Sequence, residues 1–213
     1  TGALADVLQS TTTYKEGEEN SKETDLNGDG TRDLALKSRT EYEGDIRGEE
    51  VADYTWNYSG AATREYTATT TVNFYGPSHG RAGTAGVRGN TAMTASSTYI
   101  GDYSAASVDY DVTPAADRTD LKSRTHYFGY KGEELANYSQ NYMMFEDGSV
   151  DVRETVTYVY DQDILKEVRT YKGGERDRKD TSGELKSVVF YIGNVRGEEI
   201  MDYSYAYGAA GAV

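Results

Sequence analysis

The chain contains no cysteine. Disulfides, zinc–thiolate sites and thiol catalysis are therefore excluded. Proline occurs twice in 213 residues, so rigid bends are few. No run of about 18 apolar residues exists, and membrane insertion through a helix is not expected. Cations are also short: 22 Lys and Arg stand against 36 Asp and Glu, a net charge of −14. That balance argues against nucleic acid or an anionic membrane surface as partner, since both need clustered Lys and Arg. Only two histidines occur, His79 and His126. Neither lies at metalloprotease spacing from a carboxylate. Helical periodicity is missing as well; the best candidate, "GALADVLQS", is short and runs into the β-rich "TTTY". No signal peptide is legible, and the expectation is a mature secreted or cell-surface chain whose signal has been removed.

What is present points to sheet. Tyrosine occurs 20 times, against four Phe and one Trp, among many Thr and Val. Those side chains suit a pleated, half-buried surface. The 23 glycines suit many tight turns.

The organising feature is an internal repeat. "LKSRTEYEGDIRGEE" returns as "LKSRTHYFGYKGEE" and as "LKSVVFYIGNVRGEE". Each copy carries Lys-Ser (Lys37, Lys122, Lys186), a Tyr (Tyr42, Tyr127, Tyr191), then Gly44, Gly129 or Gly193, and a Gly-Glu-Glu triplet. Each closes on two tyrosines four apart: Tyr54 and Tyr58, Tyr138 and Tyr142, Tyr203 and Tyr207. Upstream, Tyr14, Tyr99 and Tyr171 hold equivalent places.

Locally each unit predicts a β-hairpin; in the third copy "KSVVFYIG" and "EEIMDYSYAY" flank the turn "NVRG". A period of two on the return strand predicts that Met201, Tyr203, Tyr205 and Tyr207 share a face. The same register groups Ala52, Tyr54, Trp56 and Tyr58, and Ala136, Tyr138, Gln140 and Tyr142. A further Thr/Val/Tyr-rich strand follows the first two copies. The expected divisions are repeat one over 1–75, a flexible Gly/Ala-rich loop over 76–95, repeat two over 96–160 and repeat three over 161–213.

The first copy also holds "DLNGDGTRDLAL". Calcium takes six to eight oxygen ligands. Asp25, Asn27 and Asp29 alternate, Gly30 allows a sharp turn, Thr31 can offer its carbonyl and Asp33 comes ninth. An EF-hand would need Glu where Leu36 stands. A metal-free Asn/Gly/Asp turn also accounts for these residue types. The stretch resembles the calcium loops of FG-GAP and VCBS-type repeats, where such a loop leads straight into a strand. That resemblance covers about a dozen residues. It implies calcium as cofactor, with Asp25, Asn27, Asp29, Thr31 and Asp33 as its ligands. The segment "DYDVTPAADRTD" keeps Asp109, Asp111, Asp117 and Asp120 but lacks the glycines, and reads as a degenerate loop. The Tyr-rich hairpins are similar to the YD-type repeats of bacterial surface and toxin-shell proteins, without their Gly-Asn/Tyr-Asp spacing.

Catalysis is not expected. The Gly-Glu-Glu carboxylates occur three times in turns, which favours a structural role over one active site. His126 reads as a variable surface position, because Glu41 and Phe190 occupy it in the other copies. The fold expectation is an all-β, antiparallel array of three imperfect hairpin-plus-strand repeats, as a sandwich or one long twisted sheet. The functional expectation is a self-associating surface or filament subunit, braced by calcium and paired through strand edges, with the N-terminal strand as candidate donor. The alternative is an adhesin or carbohydrate-binding module that stacks glycans on exposed tyrosines.

Overall fold

The computed structural model describes residues 7–15, 35–60, 66–103, 110 and 120–208. Among them there is no helix, and the Thr-, Val- and Tyr-rich segments all become strands. The first compact unit, Thr1–Thr113, holds β1 (Ser10–Tyr14), β2 (Leu36–Glu43), β3 (Val51–Ser59), β4 (Tyr66–Tyr75) and β5 (Met93–Ile100). The second, Pro114–Val213, holds β6 (Leu121–Phe128), β7 (Leu135–Met144), β8 (Val150–Asp161), β9 (Ile164–Lys172), β10 (Leu185–Ile192) and β11 (Ile200–Ala206). Within each unit every strand pairs antiparallel with its neighbour in sequence. Each unit is thus an open meander, and the sandwich alternative is not adopted.

The three repeats fold alike at their hairpins. Ser38 pairs with Asn57, Ser123 with Asn141 and Ser187 with Ala206, and the pairing runs on without a slip to Glu41–Tyr54, His126–Tyr138 and Phe190–Tyr203. The register then shifts by one in every copy: the next pairs are Tyr42–Ala52, Tyr127–Ala136 and Tyr191–Met201. Asp53, Asn137 and Asp202 are left over as bulge residues. A bulge of one residue reverses the facing of everything before it. Ala52, Ala136 and Met201 therefore lie opposite to Tyr54, Tyr138 and Tyr203, not beside them as a strict period of two predicts.

The conserved spacing inside each turn has a geometric cause. Gly44, Gly129 and Gly193 adopt φ of 139°, 111° and 143°, and a Cβ on Gly129 would meet the Glu133 carbonyl oxygen at 2.9 Å. The triplet's second glutamate then folds back on its own turn. Glu50, Glu134 and Glu199 accept the backbone N–H of Gly48, Gly132 and Gly197 at 2.7, 2.8 and 2.8 Å. These carboxylates are turn caps.

A single sheet layer leaves a face to be covered, and loops do this. The loop expected over 76–95 as a flexible insertion ends where β5 begins at Met93, and its residues 76–92 lie packed on the first unit. Tyr75 and Gly80 exchange backbone hydrogen bonds at 2.8 and 2.9 Å, and Ala82 joins Val51 and Tyr75 in a small apolar cluster with Val87 and Met93. The reason is a polar anchor that the Gly/Ala composition hides: Arg81 forms a bidentate pair with the buried bulge residue Asp53. Elsewhere in this unit Val72, Phe74, Ala95 and Tyr99 are buried.

Candidate functional site

The return strand of each repeat carries the tyrosine row, and the three rows differ in what lies over them. In the first unit, Tyr54 and Trp56 meet edge to face at 4.8 Å. The Arg81 guanidinium stands 6.0 Å over the Tyr54 ring, and Trp56 Nε1–H donates to Asp102 at 2.9 Å. The chain leaving β5 is fixed there by Thr70, whose hydroxyl donates to the Gly101 carbonyl at 2.8 Å. Beyond it, Tyr110 stacks on His79 at 3.8 Å and meets Phe74 at 5.4 Å. The Gly/Ala-rich loop, with Asp102 and Tyr110, thus lies over side chains of β3 and β4.

In the second unit the roof is the β9–β10 loop, residues 173–184. Its anchor repeats the first: the Thr155 hydroxyl donates to the Gly173 carbonyl at 2.8 Å. Gln140, fully buried, then holds the loop like a hand. Its Nε2 donates to the Glu175 and Arg178 carbonyls at 2.8 and 3.2 Å, and its Oε1 accepts the Asp177 N–H at 2.7 Å. Asp177 sits with φ of 57°, a left-handed conformation that Asp tolerates. From there its carboxylate accepts from Arg124 Nη1 at 2.8 Å and from the Tyr142 hydroxyl at 3.4 Å. Arg176 lies 5.3 Å over the Tyr142 ring. Tyr138 and Tyr142 are each 7% exposed under this roof.

The electrostatics follow the burial. Removal from water works against the charge of Asp177, but the nearby His126, 3.9 Å away, and the hydrogen-bonded Arg124 outweigh it and hold the carboxyl below its usual range. Burial pushes the Tyr142 phenol well up, and the Asp177 charge adds to that. His126 is 8% exposed and stacked on Tyr138 at 4.2 Å, so the surface reading of this position is corrected. The variable residue of the first hairpin strand sits opposite the first tyrosine of the return strand, and that ring covers it. The polar groups of this cluster bond to one another and to backbone.

On β11 no described loop lies over the row. Tyr203, Tyr205 and Tyr207 are 46%, 56% and 50% exposed. Phe190 stacks on Tyr203 at 4.7 Å, and Tyr203 meets Tyr205 edge to face at 5.5 Å. Among the described residues β11 pairs with β10 alone, whereas β3 and β7 are each paired on both edges.

The sequence-derived calcium ligands Asp25, Asn27, Asp29, Thr31 and Asp33 lie outside the described residues, as do Asp109, Asp111 and Asp117. Asp120 is described. One of its carboxylate oxygens is buried with no hydrogen bond among the described residues, and burial pushes its carboxyl up. No group of three potential ligands gathers among the described residues. Sequence reasoning missed Arg81, Arg124, Gln140 and Asp177. The one available signal was the polar residue Gln140 where the first copy has Trp56 and the third has Tyr205. Comparison with protein-family models, curated proteins and solved structures finds no match to this chain.

Proposed function

We propose that this chain is a non-enzymatic, extracellular structural protein: a surface or filament subunit that associates with copies of itself through strand edges. The observation that carries the reading is the contrast, among the described residues, between β7, paired on both edges and roofed, and β11, whose tyrosine row is paired on one edge and half-exposed. An unpaired strand edge is a template for another strand. The capping role of Glu50, Glu134 and Glu199 supports a structural rather than catalytic use of the repeated carboxylates. Calcium at Asp25, Asn27, Asp29, Thr31 and Asp33 would brace the β1–β2 joint, and the net charge of −14 favours cation binding. Sedimentation velocity and negative-stain electron microscopy of the full chain, with calcium and with a chelator, test this. Ordered assemblies that weaken on chelation are expected; a monomer at every concentration in both conditions overturns the reading.

A second reading, an adhesin or carbohydrate-binding module, draws on the same half-exposed rings of Tyr203, Tyr205 and Tyr207. Aromatic faces stack on sugars without needing charge. Glycan-array binding that disappears in Tyr203→Ala and Tyr205→Ala, with the sheet spectrum intact, would favour it.

A further inference from the structure

We infer that β11 joins to β11 of a second copy, antiparallel, about a twofold axis normal to the sheet that passes midway between the two copies of Tyr205. This rests on the self-association reading above and names its joint. Backbone geometry sets the register. The Tyr207 N–H donates inward to the Lys186 carbonyl at 2.8 Å. In an antiparallel ladder inward and outward residues alternate, so Tyr205 also points its backbone groups at β10, and Ser204 and Ala206 point theirs out. Two such edges facing each other can exchange hydrogen bonds between Ser204 and the partner copy's Ala206, and the reverse. Tyr205 then lies across from its own counterpart, and Tyr203 across from the second copy's Tyr207.

Three observations select this occupant. The first is charge. Two chains of net charge −14 repel, yet Tyr203 to Tyr207 reads Tyr-Ser-Tyr-Ala-Tyr with no charged residue. In this register Asp202 faces Gly208 and not another acid, since like charges directly opposite are unfavourable. The second is what a second copy has to offer. Its strands β2 to β4 and β7 to β10 are already paired on both edges. The third is facing. Cross-strand partners share a face, so the twofold brings both tyrosine rows to the same side of the new sheet. An antiparallel β1 would require the second copy to turn over, setting its return-strand tyrosine rows on the opposite face. Aromatic cross-strand pairs are among the more favourable ones. Both other return strands show that this edge geometry accepts a strand: Tyr54 pairs with Val72 of β4, and Tyr138 with Thr157 of β8.

The absence of native cysteine makes the test clean. Single variants Tyr205→Cys and Tyr203→Cys of the full chain are oxidised mildly and run on non-reducing gels. Across a non-hydrogen-bonded antiparallel pair the Cα atoms stand about 4.5 Å apart, within disulfide reach. Position 203 stands four residues from its counterpart and is the control. The expected result is a covalent dimer at 205 exceeding that at 203 by at least about tenfold, where tenfold corresponds to about 1.4 kcal/mol in an equilibrium. As a second measurement, Ser204→Pro and Ala206→Pro remove an outward donor while leaving the β10 ladder its bonds. Loss of the dimer in sedimentation with an unchanged sheet spectrum is expected. Assembly in the unmodified chain, with equal or absent cross-linking at both positions, overturns the joint and leaves self-association standing. Cross-linking only in a Thr13→Cys/Tyr205→Cys double variant assigns the contact to β1 and also overturns it. A strictly monomeric chain overturns both readings.

Discussion

The backbone N–H of Leu165 donates to Oε1 of Glu199 at 3.0 Å, joining residues 34 apart in sequence. Leu8 makes the same bond to Oε1 of Glu50 at 3.0 Å. In both copies the other carboxylate oxygen caps a turn glycine. One glutamate thus ties its own hairpin turn to the start of the repeat's first strand. The bonds from Leu8 and from Leu165 are the main reason that Glu50 and Glu199 are held below the usual carboxylate range. Glu199→Ala should speed amide hydrogen exchange at both Gly197 and Leu165. Glu198→Ala, which removes the neighbouring carboxylate, should leave both amides as they are.

Gln140 is the hand under the second unit's roof, and its replacement should loosen that roof as a whole. Gln140→Leu keeps the volume but leaves the Asp177 N–H and the Glu175 and Arg178 carbonyls to find other partners. With a cost for each unsatisfied buried group, the variant should lose about 2–4 kcal/mol. Urea denaturation measures the loss. Exchange of amides in residues 173–184 should rise more than that of β7 itself.

The hairpins were legible in the sequence because alternation and glycine both act within a few residues. Tyr191, Gly193 and Gly197 mark a strand end and a turn without any tertiary contact. The bulge was less legible: Asp53, Asn137 and Asp202 look like ordinary alternating residues until the partner strand is known. The roofs were missed for a different reason. Residues 173–184 read "GGERDRKDTSGE", which hydropathy assigns to solvent. What they cover is itself polar, with Arg124, His126 and Gln140 in the middle of it, and polar burial is settled by pairing geometry. His126 is buried on the same ground, since variation between copies does not imply exposure.

Acid should weaken the second unit through Asp177. Its carboxyl titrates below its ordinary value in the folded chain, so it contributes stability above about pH 4, the unfolded value, and that contribution is lost as pH falls through the folded value. Asp177→Asn keeps a residue that tolerates the left-handed backbone but has no charge to lose. Between pH 5 and pH 2 the urea midpoint of the unmodified chain should fall more steeply than that of Asp177→Asn. Parallel curves would assign the acid sensitivity to other carboxylates, such as Glu154, which its hydrogen bond to Lys186 also holds low.

The turn glycines should divide into two classes. Gly129 has φ of 111° and no room for a Cβ beside Glu133, whereas a Cβ on Gly148, at φ of 82°, meets nothing within 4 Å. Gly129→Ala carries both the backbone strain and the clash and should cost about 1–2 kcal/mol. Gly148→Ala carries the backbone term alone and should cost less. Thermal unfolding of the two variants side by side separates the contributions.

The Asp53–Arg81 pair decides whether the Gly/Ala-rich loop stays on its sheet. Asp53 is 6% exposed at the bulge of the first hairpin, with both carboxylate oxygens engaged by one guanidinium. Arg81→Ala strands that carboxylate beneath the loop and should cost about 3 kcal/mol. Asp53→Asn alone leaves a cation beside a neutral amide and should cost less. In the double variant no buried charge is left unpaired, so its loss should fall short of the sum of the two single losses. The size of that shortfall in a double-mutant cycle measures the pair. Strict additivity would mean that the loop is held by its apolar contacts at Val51, Tyr75 and Ala82, and the bidentate pair would then be a consequence of the fold and not its anchor.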